Sequence, residues 1–88
     1  MGRSLQFSFE GAPVGYFEES SFPREPGEYR YMPFRSIGHY NLVRALAHGP
    51  AVCRFVSTDD TYEFRVSSRP RYGVLTIENV SPLRAASG

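Results

Sequence analysis

Only one stretch of this 88-residue chain repeats its apolar residues at helical spacing. His39, Leu42, Val43 and Leu46 fall at i, i+3, i+4 and i+7, forming one stripe over roughly His39 to His48. Gly49 followed by Pro50 stops it, because glycine accepts the left-handed terminal conformation and proline cannot continue a helix. Gly38 or Ser36 is the expected N-cap; with Gly38 in that role, Ile37 and Leu42 are placed as a hydrophobic staple. A helix of about two to three turns does not persist alone in water, so it must dock on another element. The flanking segments supply that element.

On both sides the pattern changes to period two. Leu5, Phe7 and Phe9 alternate with Gln6, Ser8 and Glu10. Gly11-Ala12-Pro13 punctuates, and a second strand over Val14 to Ser20 closes a hairpin. Phe22 to Gly27 reads as a loop, since two prolines and a glycine deny it ladder hydrogen bonds. A third strand runs from Glu28 to about Phe34, with Tyr29 and Tyr31 on one face and Arg30, Met32 and Phe34 on the other. The sequence leaves open which face is buried. After the helix come strands at Val52–Ser57, Tyr62–Val66 and Val74–Val80, the first mostly apolar and so central. They are separated by a turn at Ser57–Asp60 and a polar connection at Ser67–Tyr72. The expected fold is therefore α+β, in the order β-β-β-α-β-β-β. Two antiparallel meanders carry one short helix on the sheet, in a single domain spanning 1–88. The ordered core is expected over about 4–81, with residues 82–88 a flexible tail.

Charge divides the sequence more sharply than the net value of +1 suggests. Residues 1–28 hold two Arg against five Glu, whereas residues 29–58 hold four Arg, both histidines and no acid. All ten basic residues are Arg, a pattern that GC-rich codon usage produces without any functional cause. Near-neutral net charge argues against a dedicated nucleic-acid binder. Phe7, Phe9, Phe17, Phe55 and Phe64 are bulky enough to fill a small core without disulfides, and Cys53 is the only cysteine. A lone thiol is natural in a reducing cytoplasm, which is the expected location. No run approaches the roughly twenty apolar residues that span a bilayer. Ser, Gln and Glu interrupt residues 1–10 too early for a signal peptide.

The stretch Tyr29-x-Tyr31-x-Pro33-x-Arg35-x-x-Gly38-His39-Tyr40 resembles a motif of small uncharacterised bacterial proteins, in which it precedes a short helix. Tyr72-Gly73-Val74-Leu75 looks like a second shared block. The resemblance covers about a quarter of the sequence and implies no activity, cofactor or mechanism.

Candidate sites gather at the helix start. Arg35, Ser36, Gly38 and His39 lead into the first turn, where free amides and a guanidinium fork attract phosphate or carboxylate. The bland alternative is a capping Ser36, an Arg35 paired with a Glu of the opening hairpin, and a Gly38 that permits close packing. His39 lies on the apolar stripe with no carboxylate near it in sequence, which suits a partly buried histidine hydrogen-bonded to backbone better than a catalytic base. Cys53 in an apolar strand reads as an inert core residue. Two His, one Cys and scattered acids show no recognised ligand spacing, so neither metal nor cofactor is expected. Tyr40 and Arg44 at i, i+4 can stack. Tyr29, Tyr31, Arg30 and Arg44 would form an aromatic and basic surface, if the tyrosines face solvent.

These residues lead to one expectation: a small non-enzymatic binding or adaptor domain. Its contact region comprises Tyr29, Arg30, Tyr31, Arg35, Ser36, Gly38, His39, Tyr40 and Arg44. Tyr29 and Tyr31 act as apolar anchors, Arg35 as an anion clamp, and Arg30 and Arg44 as steering charges. The expected partner is another protein, with a small anion at the helix N-terminus as an accessory ligand. No membrane is involved, and the protein is a monomer or weak oligomer. The alternative is a module for single-stranded nucleic acid, RNA above all, using the same residues.

Overall fold

The structure, a computed structural model, describes residues 4–56, 60–68 and 73–85. It has the expected α+β order, with one helix on an antiparallel sheet. The strands are β1 (Ser4–Phe9), β2 (Ala12–Glu18), β3 (Gly27–Arg30), β4 (Met32–Pro33), β5 (Ala51–Val56), β6 (Asp60–Ser68) and β7 (Val74–Ala85). The helix α1 spans Ile37–Leu46, and a 3-10 turn at Glu19–Ser21 follows β2.

Hydrogen bonding places the strands in the order β3-β7-β6-β5-β1-β2-β4. The two outermost members, β3 and β4, are consecutive in sequence and separated only by Tyr31. The sheet must therefore curl until its edges meet, and the expected third strand is the seam. Its first half pairs with β7, Tyr29 opposite Leu75, and its second half with β2, Gly15 opposite Pro33. Tyr31 N–H donates to the Gly73 carbonyl at 2.8 Å, and Phe34 N–H donates to that of Val14 at 2.9 Å. Each half thus gains one bond beyond its ladder. Such closure removes the long unpaired edges that invite aggregation. The close approach at the seam needs Gly15, where a Cβ would lie 2.3 Å from the Met32 carbonyl oxygen.

Alternation decides what fills the interior. Phe7 and Phe9 of β1, Cys53 and Phe55 of β5, Phe64 and Val66 of β6, and Leu75 and Ile77 of β7 are all buried. Phe7 stacks on Phe17 at 4.7 Å and meets Phe64 at 5.7 Å, so three rings occupy the centre. The first hairpin turns on Glu10 and Gly11, both at positive φ (51° and 83°), as a two-residue type I′ turn requires. Ala12 and Pro13 lie within β2 rather than the turn. A register shift between Phe7 and Ser8 leaves Val14 as the extra residue, and it is fully buried.

The two ends of this closed sheet are covered differently. Leu42 and Leu46 of α1 are buried over the end that holds the β1–β2 turn. The helix packs chiefly on β2 and also touches β1, β5 and β6. At the opposite end Phe22 is buried against Phe17, Phe55 and Tyr62. Its backbone lies in a Pro- and Gly-punctuated loop, as expected; its side chain belongs to the core.

Several boundaries differ from the sequence reading, those of α1 and β7 most consequentially. The helix begins and ends two residues earlier, because Ser36 rather than Gly38 is the N-cap and the last turn tightens to i→i+3 bonds. No Ile37–Leu42 staple forms, and Ile37 is exposed. The last strand does not stop at Ser81-Pro82 but pairs with β6 as far as Ala85. A register shift between Thr61 and Tyr62 lets Pro82, which has no N–H, sit within the strand. The tail expected from residue 82 is therefore strand as far as Ala85, and residues 86–88 lie outside the described residues. Of the expected turn at Ser57–Asp60, Asp60 instead opens β6, and of the expected connection at Ser67–Tyr72, Ser67 and Ser68 instead close it; residues 57–59 and 69–72 lie outside the described residues. Among the described residues no helix is long and apolar enough to cross a membrane.

Candidate functional site

Everything the sequence singled out lies between β3 and the middle of α1, but the fold sorts these residues into two shells. Tyr31 faces the interior at 7 % exposure, with its ring edge-on to Phe7 at 5.6 Å. Tyr29 on the same face is half-buried, and its hydroxyl donates to the Glu25 carbonyl at 2.6 Å, pinning the Pro-rich loop to β3. Neither is the solvent-facing anchor expected of it. The reason is closure: the seam strand needs one apolar face inward, and tyrosine supplies ring area there while its hydroxyl finds a partner. Period two then turns Arg30 and Met32 outward.

The Tyr31 hydroxyl lies 2.7 Å from His39 Nε2. Burial, reinforced by the neighbouring Cys53 thiol, pushes the Tyr31 pKa up to about 12, so the phenol keeps its proton. Burial also lowers the pKa of His39, which favours the neutral imidazole. His39 is thus a partly buried histidine with a hydrogen-bond partner. That partner is a tyrosine side chain, where the sequence suggested backbone.

Ser36 has a double task. Its Oγ accepts the His39 backbone N–H at 3.2 Å, capping the helix, and donates to the Pro13 carbonyl at 2.8 Å, tying the helix start to the first hairpin. Gly38 lies beneath that same hairpin; a Cβ there would come within 2.2 Å of the Pro13 carbonyl oxygen and 2.6 Å of that of Ala12. Carbonyl oxygens therefore crowd the first turn. An anion seeking its amides would meet those negative dipoles, so the geometry gives the amide part of the anion clamp no support.

Outside this frame an open groove of about 490 Å³ runs between β4 and α1. It is lined by apolar Pro33, Phe34, Tyr40 and Val43 and by polar Arg35, Ser36 and His39. Tyr40 in this lining is 56 % exposed, and Met32 and Ile37, each next in sequence to a lining residue, are exposed at 56 % and 64 %. The Arg44 guanidinium lies over the Tyr40 ring at 5.5 Å, the stacking that their i, i+4 spacing predicts.

Charge completes the site. Arg54 pairs with Glu63 at 3.1 Å and Arg65 with Glu78 at 3.0 Å on the outer face of the sheet. Arg30, Arg35 and Arg44 have no carboxylate partner among the described residues. No carboxylate of the opening hairpin lies within ion-pair distance of them, although Glu10 lines a shallow cleft with Arg44.

Pro33, Phe34 and Val43 were absent from the sequence-derived site, as were Met32 and Ile37. Met32 and Phe34 share a strand face with Arg30, so the sequence carried the signal for them, conditional on the tyrosine face being the buried one. Nothing in the sequence marked Ile37 as exposed, because its staple role depended on the wrong cap. Among the described residues no cluster of three His, Cys, Asp or Glu side chains could hold a metal ion. Compared with protein-family models, curated proteins and solved structures, the sequence and fold match none of them.

Proposed function

We propose that this protein is a small, non-enzymatic binding domain that takes an apolar, acidic segment of a partner protein in the groove between β4 and α1. One observation carries the reading. The groove is lined by apolar Pro33, Phe34, Tyr40 and Val43 together with Arg35, exposed Met32 and Ile37 adjoin its lining residues in sequence, and neither Arg35 nor Arg44 has a carboxylate within ion-pair distance among the described residues. Exposed apolar surface beside polar or charged groups is the usual composition of a protein contact. Arginine and tyrosine are the residues most often dominant in such contacts. Of the four arginines in the acid-free window, Arg54 is paired with Glu63. The other three remain for a partner: Arg35 at the groove, Arg44 on Tyr40, and Arg30 farther along β3.

A single-stranded nucleic acid has less to grip. It needs successive aromatic platforms, and Tyr29 and Tyr31 face inward, leaving Tyr40 as the exposed ring beside a cation. Arg54 and Arg65 are already paired. The motif that resembles the small bacterial family builds this groove, so the groove is the feature such proteins would share. A buried, unpaired Cys53 fits a reducing cytoplasm.

Selection from a displayed random-peptide library tests the reading. The expected result is enrichment of sequences that place an aliphatic or aromatic residue beside Asp or Glu. Enrichment should be lost with Val43→Asp and with Arg35→Glu, two changes at accessible positions. Enrichment of basic peptides, or the same peptides retained by both variants, would refute it.

A further inference from the structure

The Tyr31–His39 contact has a consequence for what the groove accepts. Tyr31 is buried, and among the described residues the only hydrogen-bond partner of its hydroxyl is His39 Nε2 at 2.7 Å. A buried phenol proton must be donated somewhere. Were Nε2 to carry a hydrogen, it would donate to the phenol oxygen, and the phenol proton would be left without an acceptor among the described residues. The phenol therefore donates, Nε2 accepts, and the ring proton of a neutral imidazole must sit on Nδ1. Among the described residues Nδ1 has no partner, while His39 lines the groove with Arg35.

We infer that His39, locked as the Nδ1–H tautomer by Tyr31, is a fixed donor that works with Arg35 to hold a carboxylate adjoining an apolar side chain. The inference rests on the binding reading above and narrows it to a ligand class. The apolar side chain enters between Phe34, Tyr40 and Val43, and the carboxylate lies toward Arg35 and His39. Both groups present donors, so they favour an anionic or acceptor group over a cation at that end of the groove. Arg35 can present two parallel N–H groups to such a carboxylate, and lysine could not. The carboxylate can be the terminal one of a polypeptide or that of an Asp or Glu side chain; the donors meet the same chemistry in either case.

Two measurements test this separately. Long-range proton–nitrogen correlation spectra of the ligand-free protein near pH 7 report the tautomer of His39. The Nδ1–H form is expected, and the Nε2–H form would overturn the inference whatever binds. The second measurement is titration with three synthetic peptides. One is acetyl-Gly-Ser-Leu-Phe with a free carboxylate, the second is its C-terminal amide, and the third is an amidated acetyl-Gly-Asp-Leu-Phe. One or both carboxylate peptides should bind about tenfold or more tightly than the neutral amide, the size of one charge-assisted hydrogen bond. Preference for the first assigns the carboxylate to a polypeptide terminus, and preference for the third to a side chain. Equal binding of all three removes the carboxylate assignment but leaves an apolar groove. No binding by any of them counts against the groove, and so against both readings. Tyr31→Phe should release the tautomer lock and weaken the preferred peptide. Arg35→Gln, at an accessible position, makes the same test without touching the core.

Discussion

Replacing Gly38 by alanine sets two physical effects against each other with opposite signs. Intrinsic propensity favours alanine within a helix by up to about 1 kcal/mol. Packing opposes it, because the new methyl would lie 2.2 Å from the Pro13 carbonyl oxygen, and ordinary contact begins near 3.4 Å. Both neighbours are backbone, so no side chain can swing aside, and the hairpin and helix must part by about 1 Å. That displacement breaks the 2.8 Å bond from Ser36 Oγ to Pro13. Overpacking costs about 1–3 kcal/mol and the lost hydrogen bond about 1 kcal/mol. With propensity subtracted, a net loss of about 1–3 kcal/mol is expected. At about 4–8 °C per kcal/mol for a protein of this size, Tm should fall by about 4–24 °C. Far-UV circular dichroism melting, with urea titration as a second probe, measures it. A variant melting at or above the parent would refute the close contact between α1 and the first hairpin.

Phe22→Ala should cost about 3–5 kcal/mol in urea titration despite its loop position, since its ring fills the end of the sheet opposite the helix. The lowered pKa of His39 means that the unfolded state takes up its proton first as pH falls below about 6.5. Stability attributable to His39 is therefore complete above pH 6.5 and lost as pH falls through its lower folded value. Urea midpoints compared between the parent and His39→Gln check this. Cys53 and Tyr31 act in the opposite sense: both have folded pKa values pushed up to about 12 by burial, so their contribution is complete below about pH 9 and lost as pH rises toward 12. Native Cys53 should resist thiol-labelling reagents at neutral pH and react once urea unfolds the protein, read by mass spectrometry.

The fold was legible in the sequence where period two or period 3.6 ran uninterrupted. Leu42 and Leu46 are buried as the helical stripe requires, and so are the alternating residues of β1, β5, β6 and β7. What periodicity cannot express is a single strand serving two partners, because pairing on each side depends on residues far apart in sequence. Closure at Tyr31 was therefore invisible, and with it the inward turn of Tyr29 and Tyr31. Phe22 was hidden for a related reason: punctuation by Pro23, Pro26 and Gly27 describes the backbone path and says nothing of where one ring points. The segment that carries the groove between β4 and α1 was legible, since the acid-free window and the helix start are sequence features. The composition of the candidate site was not, because burial exchanged the two tyrosines for Met32, Phe34, Ile37 and Val43.

Mapping backbone amide shifts during titration with acetyl-Gly-Ser-Leu-Phe bearing a free carboxylate, at low and at moderate salt, addresses the binding groove most directly. Residues 33–43 should carry the large changes, and affinity should weaken as salt screens Arg35 and Arg44. Changes centred on the outer sheet around Arg54 and Arg65, or affinity indifferent to salt, would contradict it.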